Sequence, residues 1–219
     1  MTIAFHPDIS TLMAFSAGTL EEPYAVVVAT HVAMCEACRE QKKRIDTIGG
    51  AVLASAGEAA MSPGALDRLL ARADDSIELT RETSRSKAAA DSRLPAPLAS
   101  RLAGGLESVR WRWSGPGVSV ADLPVSPGVD GRLMLLRVAG GRPVPEHSHG
   151  GQELTLILQG AYQDRFGRFG VGDIADHDED VEHQPIAEAG QDCICLVAVD
   201  ARLSFRNRVI RALQPFFGL

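Results

Sequence analysis

The tract Thr80–Pro97, TRETSRSKAAADSRLPAP, separates two stretches whose apolar residues repeat with different periods. The tract itself is polar, poor in large apolar side chains and closed by two prolines, so it reads as an interdomain linker. Before it the pattern is helical. A first helix is expected from about Ser10 to Ala17, stopped by Gly18. Thr19 with Glu22 three residues on has the spacing of a capping box, with Pro23 tolerated in the first turn of a second helix through YAVVVATHVAM. A third helix covers roughly Glu36 to Leu53, and Ser62-Pro63 opens a fourth, which runs to about Ala73 with Leu66, Leu69 and Leu70 as its apolar stripe. After about residue 105 the segments VRWRWS, VSVADL, RLMLLRV, ELTLILQGAYQD and CICLVAV are short, several alternate, and Gly/Pro clusters part them. That is the signature of a small barrel or sandwich. A short helix is expected at about Asn207 to Leu213. The expected architecture is therefore α+β and two-domain, with a small domain of about four helices over 1–82, a linker over 83–100, and an all-β barrel over 101–219.

Bulk properties narrow the function. The 219 residues carry 22 basic and 28 acidic side chains, a net charge of -6, which argues against a non-specific grip on nucleic acid. The N-terminus MTIAFHPDIS lacks a basic region followed by an apolar run, and no apolar stretch is long enough to span a bilayer. A cytoplasmic, membrane-free protein is expected. In a reducing compartment the close pairs Cys35/Cys38 and Cys193/Cys195 are read first as metal ligands or core thiols rather than disulfides.

His31, Cys35 and Cys38 form an H-x3-C-x2-C run whose spacings of four and three residues bring the side chains to one helical face. Two thiolates and one imidazole leave tetrahedral zinc one ligand short. His6, the only other histidine before residue 147, supplies the fourth and pins the N-terminal segment to the helices. No βαβ pattern surrounds the motif, which weighs against a thioredoxin-like redox pair.

The second cluster lies in GRPVPEHSHGGQELTLILQG. His147 and His149 alternate on a strand and share a face, Glu153 follows a short turn, and His183 comes eleven residues after the Gly172-Asp173 turn. Three imidazoles and a carboxylate suit a divalent metal inside a barrel. His177 sits among Asp176, Asp178, Glu179 and Asp180 and reads as a solvated loop residue. Cys193 and Cys195 alternate within a strand and read as small core side chains.

Both clusters carry family resemblances. The H-x3-C-x2-C run with its upstream histidine, together with the tract DISTLMAFSAGTL, resembles the zinc-binding anti-sigma domain over about residues 1–80. The Gly141-x5-His147-x-His149-x3-Glu153-x6-Gly160 spacing resembles the first cupin motif at every defining position. The second cupin motif matches at Gly172, Asp173 and His183, with DHDED in place of its usual proline–glycine turn. In this order, separated by a linker, the two modules resemble the ChrR-type anti-sigma factors. The resemblance implies zinc in each domain, with another divalent metal possible in the barrel. It implies one-to-one inhibition of an extracytoplasmic-function sigma factor through the helical domain, without direct DNA binding. It further implies a barrel required for release under an oxidative stress such as singlet oxygen.

Two rival readings are set beside it. The barrel metal set is also that of cupin dioxygenases and isomerases, which would make the zinc domain an accessory. The run Gln41-Lys42-Lys43-Arg44 concentrates positive charge, but no base-reading helix accompanies it.

Overall fold

The computed structural model describes residues 2–73, 94–102, 104–148, 150–178, 181–200 and 204–205. The helices expected at the N-terminus are present: α1 (Ile9–Ala17), α2 (Glu22–Met34), α3 (Glu36–Ser55) and α4, described over 65–73. Gly18 adopts a left-handed φ of 71° and closes α1, its N–H and that of Thr19 returning to the last carbonyls of the helix. Thr19 does not cap α2. The Thr19 hydroxyl bonds back to the Ala14 carbonyl, and Glu21, with no side-chain cap, precedes a first turn that carries Pro23. Thr19 is spent closing α1, which moves the residue preceding α2 two positions on, from the expected Thr19 to Glu21. Helix α3 passes through Gly49-Gly50 as one continuous element.

The short helix α5 (Ala96–Ala99) and a 3-10 turn at Leu106–Ser108 lead into twelve strands among the described residues. A six-stranded sheet is built in the order β1-β2-β3-β11-β5-β8, from β1 (Arg112–Gly115), β2 (Val118–Leu123), β3 (Arg132–Val138), β5 (Glu153–Gln159), β8 (Ile174–His177) and β11 (Cys193–Val199). Two three-stranded sheets complete the cupin-like fold. One is β10-β6-β7, from β6 (Ala161–Asp164), β7 (Gly167–Gly170) and β10 (Ile186–Ala187). The other is β12-β4-β9, from β4 (His147–Ser148), β9 (Glu182–His183) and β12 (Ser204–Phe205). Each named pairing is antiparallel. The expected C-terminal helix at 207–213 lies outside the described residues.

All seven residues of β11 are buried, so both faces of this sheet are covered. Antiparallel sheets commonly leave one face to water, and strands closed on both faces need a second layer. Alternation shows what covers each face. Met134, Ile157, Cys193, Cys195 and Val197 point into the interior with Tyr162 and Phe169. Leu133, Leu135, Leu154, Leu156, Leu196 and Ala198 point outward against Leu12, Tyr24, Val27 and Val28 of α1 and α2, and against Leu98 of α5. Each such side chain contributes about 1.5–3 kcal/mol of apolar burial. Polar bonds fix the same contact: the Tyr24 hydroxyl donates to the Gln152 carbonyl at 3.0 Å, and Arg101 pairs with Glu22 at 2.6 Å. Hydrogen bonds from Ser126 and from the Arg101 guanidinium hold the Glu22 carboxyl down at about 2. Thus the helical and β parts share one apolar core. Most of the expected linker lies outside the described residues, but its end is core: Leu98 is fully buried.

The far helices behave differently. Leu66, Leu69 and Leu70 of α4 do form a stripe, yet all three are more than half exposed, as are Ile48, Val52 and Leu53 at the end of α3. The basic run on α3 is a solvated face, with Lys42 paired to Asp46 and Lys43 to Glu40 along the same helix.

Candidate metal centres

The break between α2 and α3 builds the first centre. His31 lies in the last turn of α2 and is fully buried. Cys35 is extended (φ -105°, ψ 114°) and caps α3, its Sγ accepting the Cys38 N–H at 3.5 Å. Cys38 follows one turn into α3, and His6 arrives from the segment ahead of α1. The ligand atoms of His6, His31, Cys35 and Cys38 all lie within 4.8 Å of one another. His31 Nε2 is 3.2 Å from Cys38 Sγ, and His6 Nδ1 is 3.5 Å from Cys35 Sγ and 3.4 Å from Cys38 Sγ. Zinc–sulfur and zinc–nitrogen bonds of ordinary length set neighbouring donors about 3.5 Å apart in a tetrahedron. The donor set and its spacing therefore fit a zinc-like ion.

The protonation of the site suits a cation. Burial holds the His31 imidazolium down at about 4, so the ring is neutral at pH 7 and its lone pair available. Its Nδ1 faces the Gly172 carbonyl at 2.8 Å, which directs Nε2 to the cluster. Burial, and then the neighbouring Cys35, push the Cys38 thiol up to about 12. A metal ion entering there displaces that proton.

The second cluster sits at the mouth of the barrel interior. The short strands β4 and β9 place His147 opposite His183, with ring centroids 4.7 Å apart. The β5–β8 pairing places Glu153 opposite His177. His147, Glu153 and His183 border a cavity of about 40 Å³ that reaches down to Tyr162, Cys193 and Cys195. His149 lies outside the described residues. His177 is not a solvated loop residue. It ends β8, is buried, and stacks edge-on to His183 at 4.8 Å. The acidic run misled the sequence reading, because it is the strand alternation from Ile174 that turns His177 inward.

Among the described residues the tightest group here is Asp164, His177 and His183, with ligand atoms within 4.8 Å of one another. Asp164, which no sequence signal marked, lies 3.0 Å from His183 Nδ1, and both side chains are buried. Burial alone would raise the Asp164 carboxyl. The His183 hydrogen bond, the Phe166 N–H and the nearby histidines outweigh it, and the group lies below the ordinary carboxylate range. His147 Nδ1 is likewise engaged, by the Pro145 carbonyl at 2.7 Å. Both rings are thus fixed in orientation through Nδ1, as a carboxylate or carbonyl orients a metal-binding imidazole. Asp164→Ala should weaken metal binding by the barrel by about 10–100-fold while leaving the His/Cys cluster loaded, measured by competition with a chromophoric chelator. An unchanged affinity would remove Asp164 from the site.

The Cys193 and Cys195 thiols lie 3.7 Å apart in the interior core. Their mutual hydrogen bond and burial raise the Cys195 thiol well above its ordinary value, as expected of core side chains.

Comparison with known proteins follows the same division. Residues 100–201 match the family described as the ChrR cupin-like domain. Over all 219 residues, the full length of both chains, the sequence is 44% identical to the anti-sigma-E factor ChrR of Cereibacter sphaeroides. The fold is similar to that in the crystal structure of Rhodobacter sphaeroides SigE in complex with the anti-sigma ChrR. The TM-score is 0.77 at 42% identity, over 91% of this chain and 100% of that one.

Proposed function

This chain belongs to the ChrR family of anti-sigma factors, and on that premise we propose that it binds an extracytoplasmic-function sigma factor one-to-one and holds it inactive in the cytoplasm. The observation that carries this reading is the full-length 44% identity to ChrR. The surface supports it: the apolar side chains Ile48, Val52 and Leu53 of α3 and Leu66, Leu69 and Leu70 of α4 are each more than half exposed. Apolar groups of this number at an unpartnered surface suit a protein interface. Residues 1–82 act as the sigma-binding part, 83–100 as the connection and 101–219 as the cupin-like part. Among the described residues no helix is long and apolar enough to cross a membrane.

His6, His31, Cys35 and Cys38 hold a zinc ion that orders the helices. In the barrel His147, His149, Glu153 and His183 hold a second divalent ion, zinc in the simplest case. The barrel is needed for release of sigma under an oxidative stress such as singlet oxygen. A signal acting there dissociates the complex only through a state with weaker sigma affinity. The relevant binding is to protein, since the basic run of α3 is already paired within its own helix.

Co-expression with the neighbouring sigma factor, followed by pull-down and metal analysis, tests the reading. A one-to-one complex with two metal equivalents is expected. No complex, with metal confined to the barrel, would overturn it.

A further inference from the structure

We propose that the turn joining β7 to β8 of the barrel is part of the N-terminal metal centre, because it holds both of that centre's histidines in place. The inference rests on reading His6, His31, Cys35 and Cys38 as one metal site, and goes beyond it by assigning the cupin-like part a role in building that site.

Two adjacent residues of the turn do this. The Gly172 carbonyl meets His31 Nδ1 at 2.8 Å and sets which nitrogen faces the cluster. The Asp173 carboxylate accepts the Ala4 N–H at 2.7 Å and the Phe5 N–H at 3.0 Å through one oxygen, immediately before His6. Its other oxygen accepts the Gly170 N–H at 2.7 Å, so the turn and the N-terminal strap are tied by a single buried side chain. Ile174, next along the barrel, donates its N–H to the Phe5 carbonyl at 3.3 Å. The Phe5 ring stacks on Phe169 of β7 at 4.2 Å. Gly172 has a left-handed φ of 90°, and a Cβ there would lie 2.6 Å from Ile3 Cδ1. A side chain at this position would push the strap off the turn.

His6 reaches the cluster from a strap with no regular secondary structure of its own. Left unheld, such a segment gives up backbone freedom at each residue when it is ordered to ligate a metal. The turn orders it beforehand. It therefore acts on the metal as the outer partners of metal ligands do, by fixing ligand orientation. The turn is also the start of β8, which runs on from Ile174 to His177 beside the barrel cluster. The two metal centres are thus joined by one short strand.

The test is a cobalt(II) titration of the full-length chain, read by the thiolate-to-cobalt charge-transfer absorption, which reports Cys35 and Cys38. The double variant Cys35→Ser, Cys38→Ser supplies the blank. Asp173→Asn leaves one acceptor where two are used and should weaken cobalt binding at the thiolate site by about 10–100-fold. Phe5→Ala removes the strap's ring from Phe169 and the adjoining barrel core, changes no residue of the barrel and should weaken the same site in the same direction. It decides the matter alone should Asp173→Asn fail to fold. Wild-type affinity in Phe5→Ala, and in Asp173→Asn where that folds, would overturn the proposal. Wild-type protein without the thiolate band would instead overturn the metal-site reading beneath it.

Discussion

Replacing Cys35 and Cys38 by serine should empty the N-terminal cluster and abolish capture of the sigma factor. Structural zinc in small domains is worth about 10–16 kcal/mol of apparent binding energy, comparable with or larger than the whole stability of a domain. Here an ion held by the cluster would tie His6, the end of α2 and the start of α3 together. The inner helices retain support without it, because Val27, Val28 and Leu12 are buried against the barrel sheet. Among the described residues, the end of α3 and α4 carry their large apolar side chains exposed rather than packed on that sheet. Zinc content and sigma pull-down, measured on one preparation, check the result. Full-strength capture by metal-free protein would sink the structural role of the site. The pH dependence follows in sign. The Cys38 thiol is held at about 12 and gives up its proton on binding, so metal affinity falls at least about tenfold per unit of acidification through neutrality.

Replacing His147 and His149 by alanine should have a separate consequence. The barrel should lose its metal, sigma capture should persist, and release under oxidative stress should disappear. His147 stands opposite His183 at the cavity, remote in sequence from the helices that offer apolar surface. If His147, His149, Glu153 and His183 are the ligands, removing two imidazoles of the four would leave too few donors for a stable divalent site. Sigma-dependent transcription followed before and after exposure to singlet oxygen, with pull-down in parallel, checks both halves. Loss of capture in this variant would show that the barrel is needed for inhibition itself and would sink the division of labour.

Helices α1 to α3 and the metal run between α2 and α3 were legible because their signals are local. Spacings of three and four residues place His31, Cys35 and Cys38 on neighbouring turns wherever that segment folds. Period-two alternation likewise fixed which residues of β3, β5 and β11 share a face. The local signals failed at helix starts and in the acidic run. The Thr19 hydroxyl bonded backward to Ala14 instead of forward, and His177 was judged by its charged neighbours.

By itself, then, the sequence determined the element types, the His31/Cys35/Cys38 run and the order of the two parts, since each depends on spacing along the chain; His6 stood out only as the one other histidine before residue 147. Only the tertiary structure decided what covers the outer face of the barrel sheet and which side chains back the metal ligands. It also decided which apolar residues remain exposed. A Leu on a helical stripe is written the same way whether it meets a sheet, as Leu12 does, or open surface, as Leu69 does. Asp164 lies 19 residues from His183, and Asp173 lies 168 residues from Phe5, whose N–H it accepts beside His6. No pattern along the chain encodes contacts at such separations, because they exist only once the sheets have closed.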